Sequence, residues 1–182
     1  MQTEFFFAGF GGQGVLFAGQ ILAFTGMDAG KAVTWMPSYG PEMRGGTANC
    51  TVIVADEEIG SPMSKHPNGV ITFNLPSLDK YESQVAPGGV LIVNSSLVNR
   101  TPERTDLDVL MIPAQEIAEA IGNRRLINMV ALGALLQKMP ILTIAELEQS
   151  LTTHLPERHR RFLPGNIEAI RQGAAFARGE IK

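Results

Sequence analysis

Residues 4–15, EFFFAGFGGQGV, place a short apolar segment directly before a glycine-rich turn. The segment Glu4 to Ala8 is typical of a strand that is buried on both faces of a parallel sheet. From Val15 to Met27 apolar residues recur at helical spacing, and Gly30 follows as a helix stop. A strand, a glycine-rich turn and a helix in this order predict a Rossmann-like opening to an α/β fold.

Further strand and helix signals continue to the end of the chain. Strands are predicted at 32–36, ending at Pro37, and at 47–55, 70–73, 90–94 and 109–112. Helices are predicted from a start at Pro76 through 78–85, at 116–121 and 128–138, from a Thr143–Glu146 capping box to about Leu151, and from an Asn166 cap to about Arg178. No repeat or linker interrupts the 182 residues. We therefore expect one domain, 1–182, in three layers, with a mostly parallel sheet and helices on both faces.

The composition restricts the class of protein and its compartment. Hydrophobic residues make up 45% and charged residues 18% of the chain, which fits either a well-packed monomer or a chain partly covered by a partner. The net charge of −3 argues against a nucleic-acid-binding protein. No apolar run reaches the ~20 residues of a membrane span. The single cysteine, Cys50, excludes an intrachain disulfide and a cysteine-ligated cluster, and favours a cytoplasmic protein.

The spacing of Gly9, Gly11 and Gly14 matches the pattern G-x-G-x-x-G at a strand-to-helix turn. Glycines there allow a tight turn and a close approach to the backbone, and the helix start offers N–H groups to an anion. A dinucleotide site also needs an acidic residue at the end of the second strand, where this chain has residues 34–36, TWM. Dinucleotide binding is therefore less favoured than close helix packing, or than contact with an anionic group or another chain's backbone.

A second loop, residues 37–46, contains two prolines and three glycines, which indicate a shaped loop rather than a helix or an interior strand. It carries Tyr39, Glu42 and Arg44, and the Arg44 guanidinium suits a carboxylate or a phosphate. The alternative is an internal pairing of Glu42 with Arg44. Because the loops after the first two strands of a parallel sheet lie at the same end of that sheet, we expect one shared site.

The other reactive side chains form no catalytic or metal-binding pattern. The histidines His66, His154 and His159 lack the i, i+4 spacing of a helical metal site. Cys50 alternates into a strand as a small core residue. The basic stretch 158–161 is expected to be a solvated helix face, with contact to an acidic partner as the alternative. We assign no catalytic residue and no metal ligand.

The two loops together resemble those of a known protein family. Residues 9–15, GFGGQGV, then residues 38–46, SYGPEMRGG, and residues 128–133, NMVALG, are similar in sequence and order to the gamma subunit of the 2-oxoacid:ferredoxin oxidoreductases. The resemblance implies an accessory subunit, inactive alone, of an enzyme that oxidatively decarboxylates a 2-oxoacid. That enzyme uses coenzyme A and yields an acyl-CoA, carbon dioxide and reduced ferredoxin.

The resemblance also implies partners and a site. The partners are alpha, beta and ferredoxin-like delta subunits, which hold thiamine diphosphate, Mg and 4Fe-4S clusters, so we expect no cofactor on this chain alone and allow for a homodimer in isolation. The residues carried over as cofactor-binding or subunit-interface residues are Gly9, Gly11, Gly12, Gln13, Gly14, Tyr39, Gly40, Pro41, Glu42, Arg44 and Gly45. The alternatives are a free-standing Rossmann-like dinucleotide-binding protein and a non-enzymatic module that docks through the same loops.

Overall fold

The structure, a computed structural model, describes residues 1–39 and 46–181. The strands within these residues are β1 (Gln2–Phe10), β2 (Ala32–Tyr39), β3 (Thr47–Ala55), β4 (Gly69–Thr72), β5 (Val90–Asn94) and β6 (Asp108–Ile112). They form a six-stranded sheet in the order β2-β3-β1-β4-β5-β6. The glycine-rich turn follows β1, so it leaves the sheet from an interior strand.

The sheet is mixed, with one strand running against the others. β1, β4, β5 and β6 are parallel neighbours, whereas β3 runs antiparallel between β1 and β2. The mostly parallel α/β sheet is confirmed, but β2 lies at the outer edge and does not adjoin β1 as in a Rossmann unit. The connection from β2 to β3 is too short for the helical crossover that parallel neighbours need, so these strands pair antiparallel.

The α-helices of the described residues are α1 (Val15–Asp28), α2 (Leu75–Tyr81), α3 (Ala114–Ala120), α4 (Ile127–Lys138), α5 (Ile144–His154) and α6 (Leu163–Ala177). Short 3₁₀ segments occur at Glu82–Gln84, Arg124–Leu126 and Glu157–Phe162. None of the helices in the described part of the chain has the length and apolar character needed to cross a membrane.

The helices cover the two faces of the sheet unequally. α1 and α4 lie directly on one face, and α5 and α6 pack over them as a further layer. Because α4 lies between the sheet and α6, it is buried around its whole circumference over most of its length. The opposite face carries α2, from which Leu78 packs with Val70, Leu91 and Val93. Helices therefore lie on both faces of the sheet, as predicted, with most of the helices on one face.

The backbones of α4 and α6 meet at two glycines. A methyl group at Gly133 would overlap the carbonyl group of Ile170, and one at Gly173 would overlap the carbonyl group of Val130. Each glycine thus leaves room for the backbone of the opposite helix. The two helices approach more closely than any side chain at these positions would allow.

The capping box predicted for α5 is confirmed. The Thr143 hydroxyl accepts a hydrogen bond from the Glu146 N–H at 3.1 Å, and the Glu146 carboxylate accepts one from the Thr143 N–H at 2.6 Å. Two of the four N–H groups that a helix start leaves unpaired are satisfied in this way.

Among the predicted element boundaries that differ from the structure, two have a clear physical reason. β2 continues through Pro37 to Tyr39, because an edge strand tolerates a residue without an N–H group. α6 begins at Leu163, not at Asn166, whose side chain lies within the first turn and donates to the Phe162 carbonyl at 2.8 Å. Pro164 in that first turn is the sequence signal for the true start.

Candidate functional site

The glycine-rich turn lies between the carboxyl end of β1 and the start of α1. The Gly11 N–H donates a hydrogen bond to the Gly46 carbonyl at 2.9 Å. Gly46 directly precedes β3, which enters the sheet beside the end of β1 through the Phe10–Thr47 pair. β2 runs in the same direction as β1 and also ends here, so the end of the second loop lies against the first turn.

The second loop itself falls mostly outside the described residues. Gly40, Pro41, Glu42, Arg44 and Gly45 all belong to that part. Tyr39 is the last residue of β2, and its backbone pairs with that of Ala48. The roles assigned to this loop from its sequence remain predictions.

Two kinds of glycine occur in the first turn. Gly9 is a packing glycine, since a methyl group on it would lie 2.6 Å from Gln13 Oε1, 2.9 Å from Val15 Cγ2 and 3.0 Å from Phe73 Cβ. Gly12 and Gly14 are conformational glycines, with φ of 98° and 74°, a region that side chains disfavour. Gly12 is exposed and has open space around it. The packing interpretation therefore holds for Gly9, while Gly12 presents its backbone outward.

Gln13 points into the protein and holds the turn. Its Oε1 accepts hydrogen bonds from the Phe10 N–H at 2.6 Å and from the Asn74 Nδ2 at 3.1 Å. Asn74 in turn caps α2, because its Oδ1 accepts from the Ser77 N–H at 2.9 Å. The glycine-rich turn is thereby tied to the end of β4 and the start of α2.

Asn128 links the third sequence stretch, residues 128–133, to the first. It is 4% exposed, and its Nδ2 donates to the Gly14 carbonyl at 3.2 Å. Because a methyl group on Gly14 would lie 2.5 Å from that same Nδ2, the turn and the start of α4 fit closely together. Two of the three stretches that carry the family resemblance are thus in direct contact.

The start of α1 is suited to an electronegative group. In residues 1–39 and 46–181 no side chain caps this helix, and its first turn has no acidic residue. Its first N–H groups and the positive end of its dipole favour an anion or a carbonyl oxygen. The exposed backbone of Gly12 lies directly before them. The turn can therefore meet a small anionic group or the backbone of another chain.

The described residues do not fit a metal ion or an iron–sulfur cluster. Among them no three His, Cys, Asp or Glu side chains are grouped as metal ligands. Burial raises the pKa of the Cys50 thiol to about 12, so this group stays protonated and unreactive at neutral pH. His154 is engaged with Asp28, whose two carboxylate oxygens each lie 3.0 Å from its Nε2. We therefore derive no catalytic step from this part of the chain.

Comparison with known families decides what kind of protein carries this turn. The family described as pyruvate ferredoxin/flavodoxin oxidoreductase matches residues 4–176. The chain belongs to the pyruvate ferredoxin/flavodoxin oxidoreductase family. The match includes all three stretches from which the resemblance was drawn, so the predicted relationship is confirmed at the level of the family.

Relatives in this family differ in length. The 2-oxoglutarate synthase subunit KorC of Methanocaldococcus jannaschii is 34% identical over 161 residues, which cover 86% of this chain and 86% of KorC. The ketoisovalerate oxidoreductase subunit VorA of Methanothermobacter marburgensis is 39% identical over 129 residues, which cover 71% of this chain and 27% of VorA. The chain thus spans about a quarter of the length of the VorA relatives that it matches.

Solved structures of the family share the fold. The gamma subunit of a keto/oxoacid ferredoxin oxidoreductase from Geobacter sulfurreducens superposes with a TM-score of 0.83 at 29% identity, over 97% of this chain and 99% of that one. A 2-oxoglutarate:ferredoxin oxidoreductase from Magnetococcus marinus gives a TM-score of 0.86 at 23% identity, over 98% of this chain and 31% of that one. The α/β fold with helices on both faces is confirmed by these likenesses.

The side-chain contacts that hold the turn were not predicted from the sequence. Gln13 was expected at a cofactor or subunit surface, yet its amide oxygen is turned inward to Phe10 and Asn74. A signal was present, because Asn74 and Pro76 together have the form of a helix cap followed by a first-turn proline. The contact of Asn128 with Gly14 had no local signal, since the two residues are 114 positions apart.

Proposed function

We propose that the chain is the gamma subunit, or gamma domain, of a thiamine-diphosphate-dependent 2-oxoacid:ferredoxin oxidoreductase. The observation that carries this proposal is the family match over residues 4–176, together with relatives such as KorC that match over nearly their whole length. The role in this proposal is accessory, which is consistent with described residues among which no three His, Cys, Asp or Glu side chains are grouped as metal ligands and the Cys50 thiol stays protonated. The chain alone is then inactive.

The complete enzyme, in this proposal, converts a 2-oxoacid and coenzyme A into an acyl-CoA and carbon dioxide and passes the electrons to ferredoxin. Its alpha, beta and delta subunits hold thiamine diphosphate, Mg and the 4Fe-4S clusters. We expect the complex in the cytoplasm, where a reduced Cys50 is also expected.

The site of the chain, in this proposal, is the glycine-rich turn with the second loop beside it. Gly12 and the uncapped start of α1 face a partner subunit or an anionic group of coenzyme A. By its sequence position in the second loop, Arg44 is included in this site, where its guanidinium would bind an anionic group through two hydrogen bonds. Support comes from the bond between Gly11 and Gly46, which brings the two loops together.

Co-purification tests the function. The tagged chain is expressed with its genomic neighbours, and the eluate is analysed for stoichiometric subunits, thiamine diphosphate and iron. We expect a complex that reduces ferredoxin only when a 2-oxoacid and coenzyme A are both present, and whose activity is lost when this chain is omitted. A chain that elutes alone under every condition, or a complex fully active without it, would contradict the proposal.

Replacement of Arg44 tests the site. Arg44→Ala in the reconstituted complex should weaken assembly or raise the KM for coenzyme A by about tenfold, as expected for the loss of one charge-assisted hydrogen bond. Arg171→Ala is the matched control, because that side chain is exposed on α6 and pairs with Glu148. Unchanged assembly and kinetics in Arg44→Ala would refute this role.

A further inference from the structure

A large groove runs between the helical layers, on the flank of α1 next to the glycine-rich turn. Its volume is about 810 Å³, which is within the range of ligand-binding clefts. Apolar side chains line it, namely Phe17 and Phe24 of α1, Leu126 and Phe162 of two 3₁₀ segments, and Leu155, which directly follows α5. Leu126 and Leu155 are 4% and 6% exposed, whereas Phe162 is 39% exposed at the mouth.

The rim of this groove is cationic. Arg125 comes from the 3₁₀ segment before α4, and Arg158 and His159 come from the 3₁₀ segment before α6. Of the residues that the structure describes, none that lines the groove is acidic. The Asp28 carboxylate is bound by the lining residue His154, which also stacks on Phe24 with ring centroids 4.1 Å apart. Glu157 precedes Arg158 in the sequence but does not line the groove.

The pairing of arginines across the molecule singles out this rim. Five arginines of the described residues form ion pairs with carboxylates, namely Arg100, Arg104, Arg124, Arg171 and Arg178, and of these Arg124 stands on the same 3₁₀ segment as Arg125. In the same described ranges, the arginines without such a pair are Arg125, Arg158, Arg160 and Arg161, all on the two 3₁₀ segments that flank the groove. The Arg158 Nε donates to His159 Nε2 at 3.1 Å, but in the described residues it has no carboxylate partner. Guanidinium groups without a carboxylate partner around an apolar cleft are complementary to a ligand with carboxylates and apolar side chains.

The positive charge also extends beyond the groove. Arg161 lies over the Phe162 ring, 4.7 Å from its centroid, and Arg160 lies on the same short segment. A compact anion would need donors that converge on one point. Arg125 and Arg158 instead come from two different segments that line the groove, and Arg160 and Arg161 follow along the second segment, as suits an extended chain.

We propose that this groove, between α1 and the segments Arg124–Leu126 and Glu157–Phe162, binds an acidic peptide segment of a partner protein. Apolar side chains of the segment enter over Phe17, Phe24 and Phe162, and its carboxylates pair with Arg125 and Arg158. The basic stretch 158–161 is then half of a docking surface rather than only a solvated face. The side chains proposed to contact the peptide lie outside the glycine-rich turn, so this proposal can fail while the function proposed above stands. Asn128, whose Nδ2 donates to the Gly14 carbonyl, is the lining residue that also contacts the turn.

A labelled peptide tests the proposal with the full-length chain. The probe is a fluorescein-labelled peptide in which glutamates alternate with phenylalanine and leucine, and the control peptide has glutamine at each glutamate position. Anisotropy should show saturable binding of the glutamate peptide only, and added salt should weaken it. Absence of binding, or equal binding of both peptides, would overturn the proposal.

Charge-reversal variants locate the binding. The double variant Arg125→Glu/Arg158→Glu should raise the Kd of the glutamate peptide by at least about tenfold, because two opposite charges become repulsive. The matched control Lys65→Glu/Lys80→Glu changes the net charge equally at exposed sites away from the groove and should leave the Kd within about twofold. Equal effects of the two double variants would show unspecific attraction and overturn the proposal.

A third variant and a competitor complete the test. Phe162→Ala removes the exposed aromatic ring at the mouth, and it should weaken peptide binding without changing the circular dichroism spectrum. This variant keeps the proposal testable if the double variant does not fold. Adenosine diphosphate should not displace the peptide. Displacement at equal concentration, lost in Arg125→Glu/Arg158→Glu, would identify a nucleotide site and contradict a peptide site.

Discussion

At the level of single residues, the contact between α4 and α6 depends on two positions that have no side chain. Gly133 and Gly173 each receive a backbone carbonyl of the opposite helix, so the packing is reciprocal. These glycines differ from those of the turn, since they stand in helices where glycine is otherwise unfavourable. Their cost to helix formation is offset by the close approach that they allow.

Gly173→Ala should therefore destabilise the protein severely. A methyl group would overlap the Val130 carbonyl, and relief requires two buried helices to move apart. We expect a loss of at least about 3 kcal/mol in the free energy of unfolding, measured by urea denaturation. Gly165→Ala, in the same helix, is the control. Its methyl group meets only Leu126 Cδ1 at 3.4 Å, so its stability should stay within about 0.5 kcal/mol. Equal effects would show that the helices are not in backbone contact.

Cys50 makes a second prediction at this scale. Its thiol is fully buried, and burial raises its pKa from 9.0 to about 12. Between these pH values the unfolded chain has lost the proton and the folded chain has kept it, so stability should fall as pH rises above 9.0, by up to about 1.4 kcal/mol per pH unit.

The burial of the Cys50 thiol is measured by its reaction with a disulfide reagent. The native protein should not react at neutral pH and should react fully in guanidinium chloride. The control Cys50→Ala/Met63→Cys moves the thiol to a position that is 71% exposed and should react at once. Rapid reaction of the native wild-type chain would mean that β3 is not buried beneath α1.

At the level of the element, α5 depends on its capping box. Thr143→Ala removes the acceptor for the Glu146 N–H and should cost about 1 kcal/mol in the free energy of unfolding. Thr153→Ala is the control, because Thr153 lies exposed in the last turn of the same helix and bonds only within it. Its effect should stay within about 0.5 kcal/mol. A loss as large for Thr153 as for Thr143 would contradict the capping role.

Acid should weaken the same element. The backbone hydrogen bond from Thr143 lowers the pKa of the Glu146 carboxyl below its usual 4.5. Its contribution is complete above that value and is lost as pH falls through the lowered pKa. The difference in stability between wild type and Glu146→Ala should thus shrink in acid. If the difference in stability stayed constant down to strongly acidic pH, the ionised Glu146 carboxylate would not contribute to the stability of α5.

The elements themselves were largely predictable, because their signals are local. Helical spacing after Val15 and the pair Thr143 and Glu146 predicted α1 and α5 well. The error at Asn166 arose since asparagine can bond a preceding carbonyl inside a helix as well as cap its start. Pro37 was taken as a strand end because a sequence does not reveal which strand lies at an edge.

The order of the strands was less predictable. The alternation in Thr47–Ala55 indicates a strand but not its neighbours. The short connection after Tyr39 makes β2 and β3 an antiparallel pair, which places β3 between β1 and β2, and this was not predicted from the sequence. The inward turn of Gln13 depends on Asn74, which only the assembled sheet brings near. The sequence thus predicted the turn itself, while its assignment as a site stays a prediction and the contacts that support the turn required the fold.

At the scale of the whole molecule, the position of β3 argues against a dinucleotide. On the side of β1 that faces β2, the neighbouring strand β3 begins at the glycine-rich turn with Thr47 instead of ending there, and the end of β2 lies one strand further out. No acidic residue occupies Thr34, Trp35 or Met36, where the ribose would be bound. NAD and FAD should therefore leave the melting temperature unchanged. A saturable rise in melting temperature would favour the dinucleotide alternative.

The inward hydrogen bonds of Gln13 have a consequence for how a partner meets this turn. Because the amide oxygen anchors Phe10 and reaches Asn74, the loop has already lost its conformational freedom when the chain folds. A partner that binds the glycine-rich turn then loses no further entropy in ordering it, and the association resembles the docking of two rigid bodies. The association rate constant is then set by diffusion and by the orientation of the two partners, and not by the closure of a loop.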